Sequence, residues 1–193
     1  SEQRRKELLV LLDLLTVNET SFFRNEPQIE LFRTLILSSV VSKKRGDAQK
    51  RLRIWSAGCS TGEEPYTIAM VIAETILNRH LWDVKIYASD LSLTVLQAAS
   101  KGEYSLDKVQ ATVDDRYINR YFTVNGDRAK VRDDIRKMAV FDFHNLKNDN
   151  GLRDLDVIFC RNVMIYFDTE EQKRLVAKFY QSLVPGGYLV IGH

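Results

Sequence analysis

The segment Ile54–Tyr66, Ile-Trp-Ser-Ala-Gly-Cys-Ser-Thr-Gly-Glu-Glu-Pro-Tyr, constrains the fold of this 193-residue chain more than any other. The apolar run Leu52-Arg53-Ile54-Trp55 ends in small residues around Gly58 and Gly62. An acidic pair, a proline and a helical apolar pattern follow. That order reads as strand, tight turn and helix start. Glycines let a ligand approach bare backbone, and the first turn of a helix offers it free N–H groups. In α/β folds such a junction lies at the carboxyl end of a parallel strand, where nucleotide-like ligands bind.

The flanking pattern agrees. Strand 52–57, helix 64–78, strand 84–89 and helix 92–100 alternate, which implies parallel strands joined by right-handed crossovers. Strand 136–142, strand 155–160, helix 169–183, a turn at Pro185-Gly186-Gly187 and strand 188–192 continue the series. Between them the rhythm breaks. Asp114 to Tyr121 reads as helical, and Tyr121-Phe-Thr-Val then meets Asn125-Gly126, a strong hairpin signal. A small antiparallel insertion over 114–134 is expected. At the front, leucines between Leu8 and Leu15 give a helix broken near Asn18. Pro27 suits the first turn of a second helix, with Asn25 as candidate cap. Residues 1–17 are therefore expected to be a linker helix from a preceding domain. Residues 18–193 form the main domain, and the strand before Gly192-His193 suggests that the fold continues.

With 45% hydrophobic and 28% charged residues, the chain suits a soluble globular domain. A formal charge of +2 is too mild to argue for nucleic acid. The basic cluster Lys43, Lys44, Arg45, Lys50, Arg51 and Arg53 reads as a solvated loop before the first strand. Two cysteines, Cys59 and Cys160, cannot make a disulfide framework, and ligand-spaced histidines for zinc are lacking. The expectations are a reducing cytoplasm and no metal. No apolar run reaches membrane-spanning length, and Ser-Glu-Gln-Arg-Arg-Lys is not a signal peptide.

The loop Ala57-Gly58-Cys59-Ser60-Thr61-Gly62 has Ser60 where a dinucleotide fingerprint needs its second glycine, and it lacks the Lys-Ser/Thr ending of a P-loop. Glu63 and Glu64 follow at once and would repel a phosphate. A cationic ligand fits better. S-adenosylmethionine (SAM) carries an ammonium and a sulfonium and no phosphate. The helix dipole accounts for one glutamate but less well for two. Asp90, ending the second strand, suits ribose hydroxyls, or else caps the next helix in competition with Ser92. Arg161 and Asn162 emerge where a buried strand reaches the cleft, unless they only support the loop. Tyr166 either stands at that rim or is a core tyrosine with a satisfied hydroxyl. Asn145-Leu146 occupies an equivalent rim position and could meet an adenine edge. Asn18, Thr20 and Arg24 bracket Phe22 and Phe23. The arginine fork suits a carboxylate, whereas a linker docking its aromatics on the core explains only the phenylalanines.

Four segments in order, Asn-x-Thr-x-Phe-Phe-Arg, Ser-Ala-Gly-Cys-Ser-Thr-Gly-Glu-Glu-Pro-Tyr, Ala-Ser-Asp and Phe-Cys-Arg-Asn-Val-Met-Ile-Tyr-Phe, resemble the CheR family. These chemotaxis receptor methyltransferases methylate receptor glutamates with SAM. The resemblance runs from about Asn18 to His193. It implies an α/β, Rossmann-like SAM-dependent methyltransferase fold: a mostly parallel sheet, helices on both faces and a small antiparallel β-subdomain. It also implies a SAM cleft made by Asn18, Thr20, Arg24, Ala57, Gly58, Glu64, Asp90, Asn145, Leu146, Arg161 and Asn162. Glu64 is chosen for the cofactor ammonium, with Glu63 left open. Arg24 and Tyr166 are the implied catalytic residues, near the transferred methyl and the incoming glutamate. The implied activity is protein-glutamate O-methylation to γ-methyl esters, leaving S-adenosylhomocysteine (SAH), in chemotactic adaptation. The implied partner is the cytoplasmic domain of a methyl-accepting chemotaxis receptor, with neither nucleic acid nor membrane insertion. Residues 1–17 are expected to match only the final linker helix of the family's N-terminal helical domain, and the hairpin reads as short. Cofactor binding thus transfers more firmly than receptor recognition. Two alternatives stand beside it: a SAM- or SAH-binding regulatory module without turnover, and a methyltransferase for another substrate, such as RNA.

Overall fold

A computed structural model describes residues 19–192 of the chain. The leucine-rich segment 1–17 and Asn18 lie outside the described residues. Strand β1 (Lys50–Ala57) runs through the centre of a five-stranded sheet. It pairs in parallel with β2 (Trp82–Asp90), Ile54 facing Ile86, and with β7 (Leu155–Cys160), Ile54 facing Val157. Strand β6 (Ala139–Phe143) adds beyond β2 and β8 (Leu183–Ile191) beyond β7, both parallel. Every residue of β7 is buried, as a parallel strand covered on both faces requires.

The alternation of β1 side chains splits the core into two layers. Leu52 and Ile54 pack with helix α1, a continuous run of Glu26–Leu31, a π-helical stretch Phe32–Ile36 and Leu37–Lys43, and with α2 (Glu63–Thr75). Trp55 and Ala57 face the other way, toward Leu175 and Phe179 of α7 (Thr169–Ser182). Helix α2 buries every residue from Pro65 to Ile72, because a second sheet closes over the side that the first leaves open. That sheet is antiparallel, in the order β3-β5-β4, from β3 (Glu103–Ser105), β4 (Phe122–Asn125) and β5 (Arg128–Val131). Asn125 pairs with Arg128 across a turn whose Gly126 has φ 58°, the hairpin that the Asn-Gly signal announces. Helices α3 (Leu93–Lys101), α4 (Leu106–Gln110), α5 (Asp115–Tyr121) and α6 (Asp133–Arg136) complete the connections.

Several boundaries differ from the sequence expectation. Helix α2 stops at Thr75, since Ile76 turns extended at φ −94° and ψ 96°. Strand β6 begins only at Ala139, because Asp133 and Asp134 open a helical turn at α6. Pro185-Gly186-Gly187 does not separate helix from strand. It forms an irregularity within β8, whose pairing jumps from Leu155–Leu183 to Val157–Tyr188. Asn25 stands at the N-cap of α1, but its side chain makes no capping bond.

The basic cluster before β1 is also not simply a solvated loop. Lys44 pairs with the buried Asp156 at 2.6 Å, Arg53 with Asp83, and Lys43 donates to the Gly186 carbonyl at 3.0 Å. Asp156 further accepts the Arg53 backbone N–H at 2.9 Å. The cluster thus pins α1 and β1 to the amino end of the sheet. Among the described residues no helix is long and apolar enough to cross a membrane.

Candidate functional site

The carboxyl ends of β1, β2 and β7 open onto one cleft of about 290 Å³. Its floor is the turn after β1. The Gly58 and Cys59 N–H groups both donate to the Ser89 carbonyl, at 2.8 and 2.9 Å. Asp90 holds the next step of the turn, accepting from Ser60 N–H at 2.8 Å and from Ser92 N–H at 3.1 Å. Gly58 (φ 84°), Ser60 (φ 47°) and Gly62 (φ 95°) all take left-handed backbone, so the turn reverses within five residues. At Gly58 a Cβ would collide with Val163 of the loop after β7, so this glycine lets two sides of the cleft meet.

The paired glutamates separate. Glu63 is fully buried and turns away from the cleft, bound by the Thr61 hydroxyl (2.7 and 2.9 Å) and by Lys108 of α4. Glu64 lines the cleft. The Ser56 hydroxyl donates to it at 2.7 Å, and an Arg161 guanidinium nitrogen lies 3.5 Å away. Burial pushes the Glu64 pKa up, and the Arg161 charge, the Ser56 hydrogen bond and the Arg24 charge only partly offset this. Arg161 is almost wholly buried and donates to the Arg24 backbone carbonyl. Burial lowers its pKa, the Glu64 charge opposes that, and the Arg24 charge adds to it. The result is one desolvated carboxylate paired with Arg161 and within the field of Arg24 in the same cleft, a donor and acceptor set matching an α-amino acid zwitterion.

Most of the other expected residues converge on the same cleft. Thr20, Arg24, Asp90, Asn145, Leu146, Asn162 and Tyr166 all line it. Ala57 does not, being 1% exposed and packed in the core beneath. Asn18 lies outside the described residues. Ser92, not Asp90, caps α3, accepting from Val95 N–H. Tyr166 is 59% exposed at the rim rather than a core tyrosine. Phe22 packs edge-on against Tyr104 and Phe122, and Phe23 against Tyr117, so the two aromatics anchor the segment that presents Thr20 and Arg24. The Arg24 guanidinium donates to the Glu19 carbonyl at 2.7 Å. Asn145 accepts the Lys147 N–H at 2.9 Å, forming an Asx turn at the far wall. Burial holds both thiols protonated, Cys160 being pushed up to about 12.

Sequence reasoning missed several lining residues, including Ser21, Cys59, Ser60, Ser89, His144 and Phe167. Cys59 and Ser60 lie inside the glycine turn, and Ser21 and His144 adjoin named residues, so adjacency to a motif was the available signal.

A parallel sheet with helices on both faces, a glycine turn at its central strand and a cleft at its carboxyl edge lined by Glu64, Asp90, Arg24 and Arg161 define the class: a Rossmann-like SAM-dependent methyltransferase fold. The DszA carbon methyltransferase has the same fold. Its likeness covers 86% of this chain and 35% of that one, with TM-score 0.56 and 13% identity. Residues 18–193 match the model of CheR methyltransferase, SAM binding domain, and the chain belongs to this family. It is 38% identical over 97% of its length to chemotaxis protein methyltransferase 2 of Vibrio cholerae, covering 65% of that protein. It is equally similar to the chemotaxis protein methyltransferase of Borreliella burgdorferi, covering 67%. The chain thus spans about two thirds of the length of these relatives.

Proposed function

We propose that the cleft binds SAM and that the chain transfers its methyl group to glutamate side chains in the cytoplasmic domain of a chemotaxis receptor. The products are γ-methyl esters, which serve chemotactic adaptation in the cytoplasm. The observation that carries the proposal is Glu64, a largely desolvated carboxylate with a raised pKa that lines the cleft beside Arg161, with Arg24 in the same lining. The chemistry of this set fits the amino-acid end of SAM: Glu64 for the ammonium, an arginine for the carboxylate. Asp90, at the carboxyl end of β2 in the lining of the cleft, would take the ribose hydroxyls. Asn145 and Leu146 would meet the adenine, with Thr20, Gly58 and Asn162 closing around the rest. The relatives are named chemotaxis protein methyltransferases, which supports a substrate within the chemotaxis system.

Bound SAM supplies a methyl on a positively charged sulfur; a carboxylate oxygen takes it, the C–S electrons stay on sulfur, and ester and SAH result. A glutamate needs no general base for this, being ionised at neutral pH with a reference pKa of about 4.3. Charge fades as the anion meets the cation, so water around either reactant slows the step. The protein's contribution is alignment and water exclusion. Arg24, at the edge of the cleft, orients the incoming carboxylate without holding its ground state too tightly. Tyr166, standing exposed on the rim, closes the path by which water would follow the substrate.

The test is incubation of the chain with methyl-labelled SAM and chemoreceptor cytoplasmic domains, with SAM affinity measured on the same sample. Label on receptor glutamates supports the proposal. Tight SAM binding with no transfer to any receptor would refute the proposed substrate and leave the regulatory module or a methyltransferase for another substrate.

A further inference from the structure

Glu63 is left over by the account above. It is the second acid of the pair, fully buried, and it does not face the cleft. Its carboxylate takes the Thr61 hydroxyl and the ammonium of Lys108, which belongs to α4 at the edge of the antiparallel sheet. Tyr104, in β3 of that sheet, donates its hydroxyl to the Thr61 carbonyl at 2.7 Å. A Cβ on Gly62 would press on Ala99 at 2.9 Å and on that same hydroxyl at 3.1 Å, so the turn is seated directly against these groups. The Glu63 carbonyl accepts the Thr67 hydroxyl at 2.7 Å, and the Thr67 oxygen in turn accepts the Phe23 N–H at 3.1 Å, next to Arg24. The glycine turn is therefore gripped from two sides: by Ser89 and Asp90 of the main sheet, and by Tyr104 of the small sheet with Lys108 of the helix that follows it.

We infer that Lys108 and Tyr104 are positioning residues through which the small antiparallel sheet holds the glycine turn in its ligand-binding shape. The inference rests on the reading of the cleft as a SAM site. The left-handed backbone at Ser60, a residue with a side chain, is unfavourable unless its surroundings fix it. Removing Lys108 leaves a buried carboxylate without its cation, and the turn that carries it relaxes toward solvent.

The experiment measures SAM binding by calorimetry, and amide hydrogen exchange over residues 58–62 without ligand. Lys108→Met is expected to weaken SAM binding about tenfold and to speed exchange in the turn. Lys108→Arg, which restores a cation, should stay within about twofold of the unaltered protein. Arg120→Met removes the Glu74 ion pair of the same unit and should leave both readouts alone. If Lys108→Met does not fold, Tyr104→Phe decides, with an expected loss of about threefold and the same faster exchange. Unaltered affinity and exchange in these variants overturns the inference, as does an equal loss in Lys108→Arg and Arg120→Met. Failure of the unaltered protein to bind SAM removes the functional proposal itself, a distinguishable result.

Discussion

Replacing Glu64 with Gln keeps the shape of the side chain and removes its charge. A cation seated about 3 Å from the Glu64 carboxylate gains roughly 5 kcal/mol at an effective dielectric near 20. Desolvation, the main cause of the raised Glu64 pKa, returns part of this. The net loss is set at about 2–4 kcal/mol, the lower part of the roughly 2–5 kcal/mol range for truncating one partner of a buried charge pair, because the cleft is partly open. That corresponds to a roughly 30- to 900-fold weaker Kd for SAM. Calorimetry with SAM, SAH and 5′-methylthioadenosine isolates the cause, because the last ligand keeps adenine and ribose but has no ammonium. Glu64→Gln should weaken the first two and leave the third within about threefold. The pH dependence gives a second signature. In the free protein the Glu64 contribution to stability is full below its unfolded pKa, and is lost as pH rises through its elevated folded value. Cation binding demands the ionised form, so SAM affinity should rise over that same window, above the ordinary value of 4.5. The rise should vanish in Glu64→Gln. SAM binding unchanged by the substitution, or methylthioadenosine weakened equally, refutes the assignment.

Two further predictions concern turnover and stability. Steady-state kinetics of Tyr166→Phe should show turnover falling more than SAM affinity, and Arg24→Ala should lower both; full activity in the double variant contradicts their roles. Asp156→Asn removes the buried partner of Lys44 at the opposite end of the sheet, and should cost about 3–5 kcal/mol in denaturant unfolding with SAM affinity unchanged. A loss below about 1 kcal/mol would show that the pair is already compensated by solvent.

How far the sequence is legible depends on how local each signal is. The Ile54–Tyr66 junction speaks for itself, because glycines, a missing middle glycine and an acidic pair each carry a steric or electrostatic meaning in place. Asn125-Gly126 is legible for the same reason. Strand β3 is not: three residues, Glu103–Ser105, are too few to show alternation, and their pairing with β5 is fixed by the tertiary structure. The separation of Glu63 from Glu64 was equally hidden, since it turns on Lys108, 45 positions further along. Pro185-Gly186-Gly187 misled because turn chemistry also builds an irregular strand. Tyr166 could not be assigned to rim or core, since its apolar neighbours suit both.

The central claim is that this cleft places a methyl group on a carboxylate, and the chemistry of the labelled bond tests it. The receptor domain labelled from methyl-labelled SAM is treated with mild base, and the volatile fraction is collected. Release of the label as methanol, with no label left on the protein, is the predicted result. Label that survives base treatment would place the methyl on nitrogen, sulfur or carbon and contradict the account.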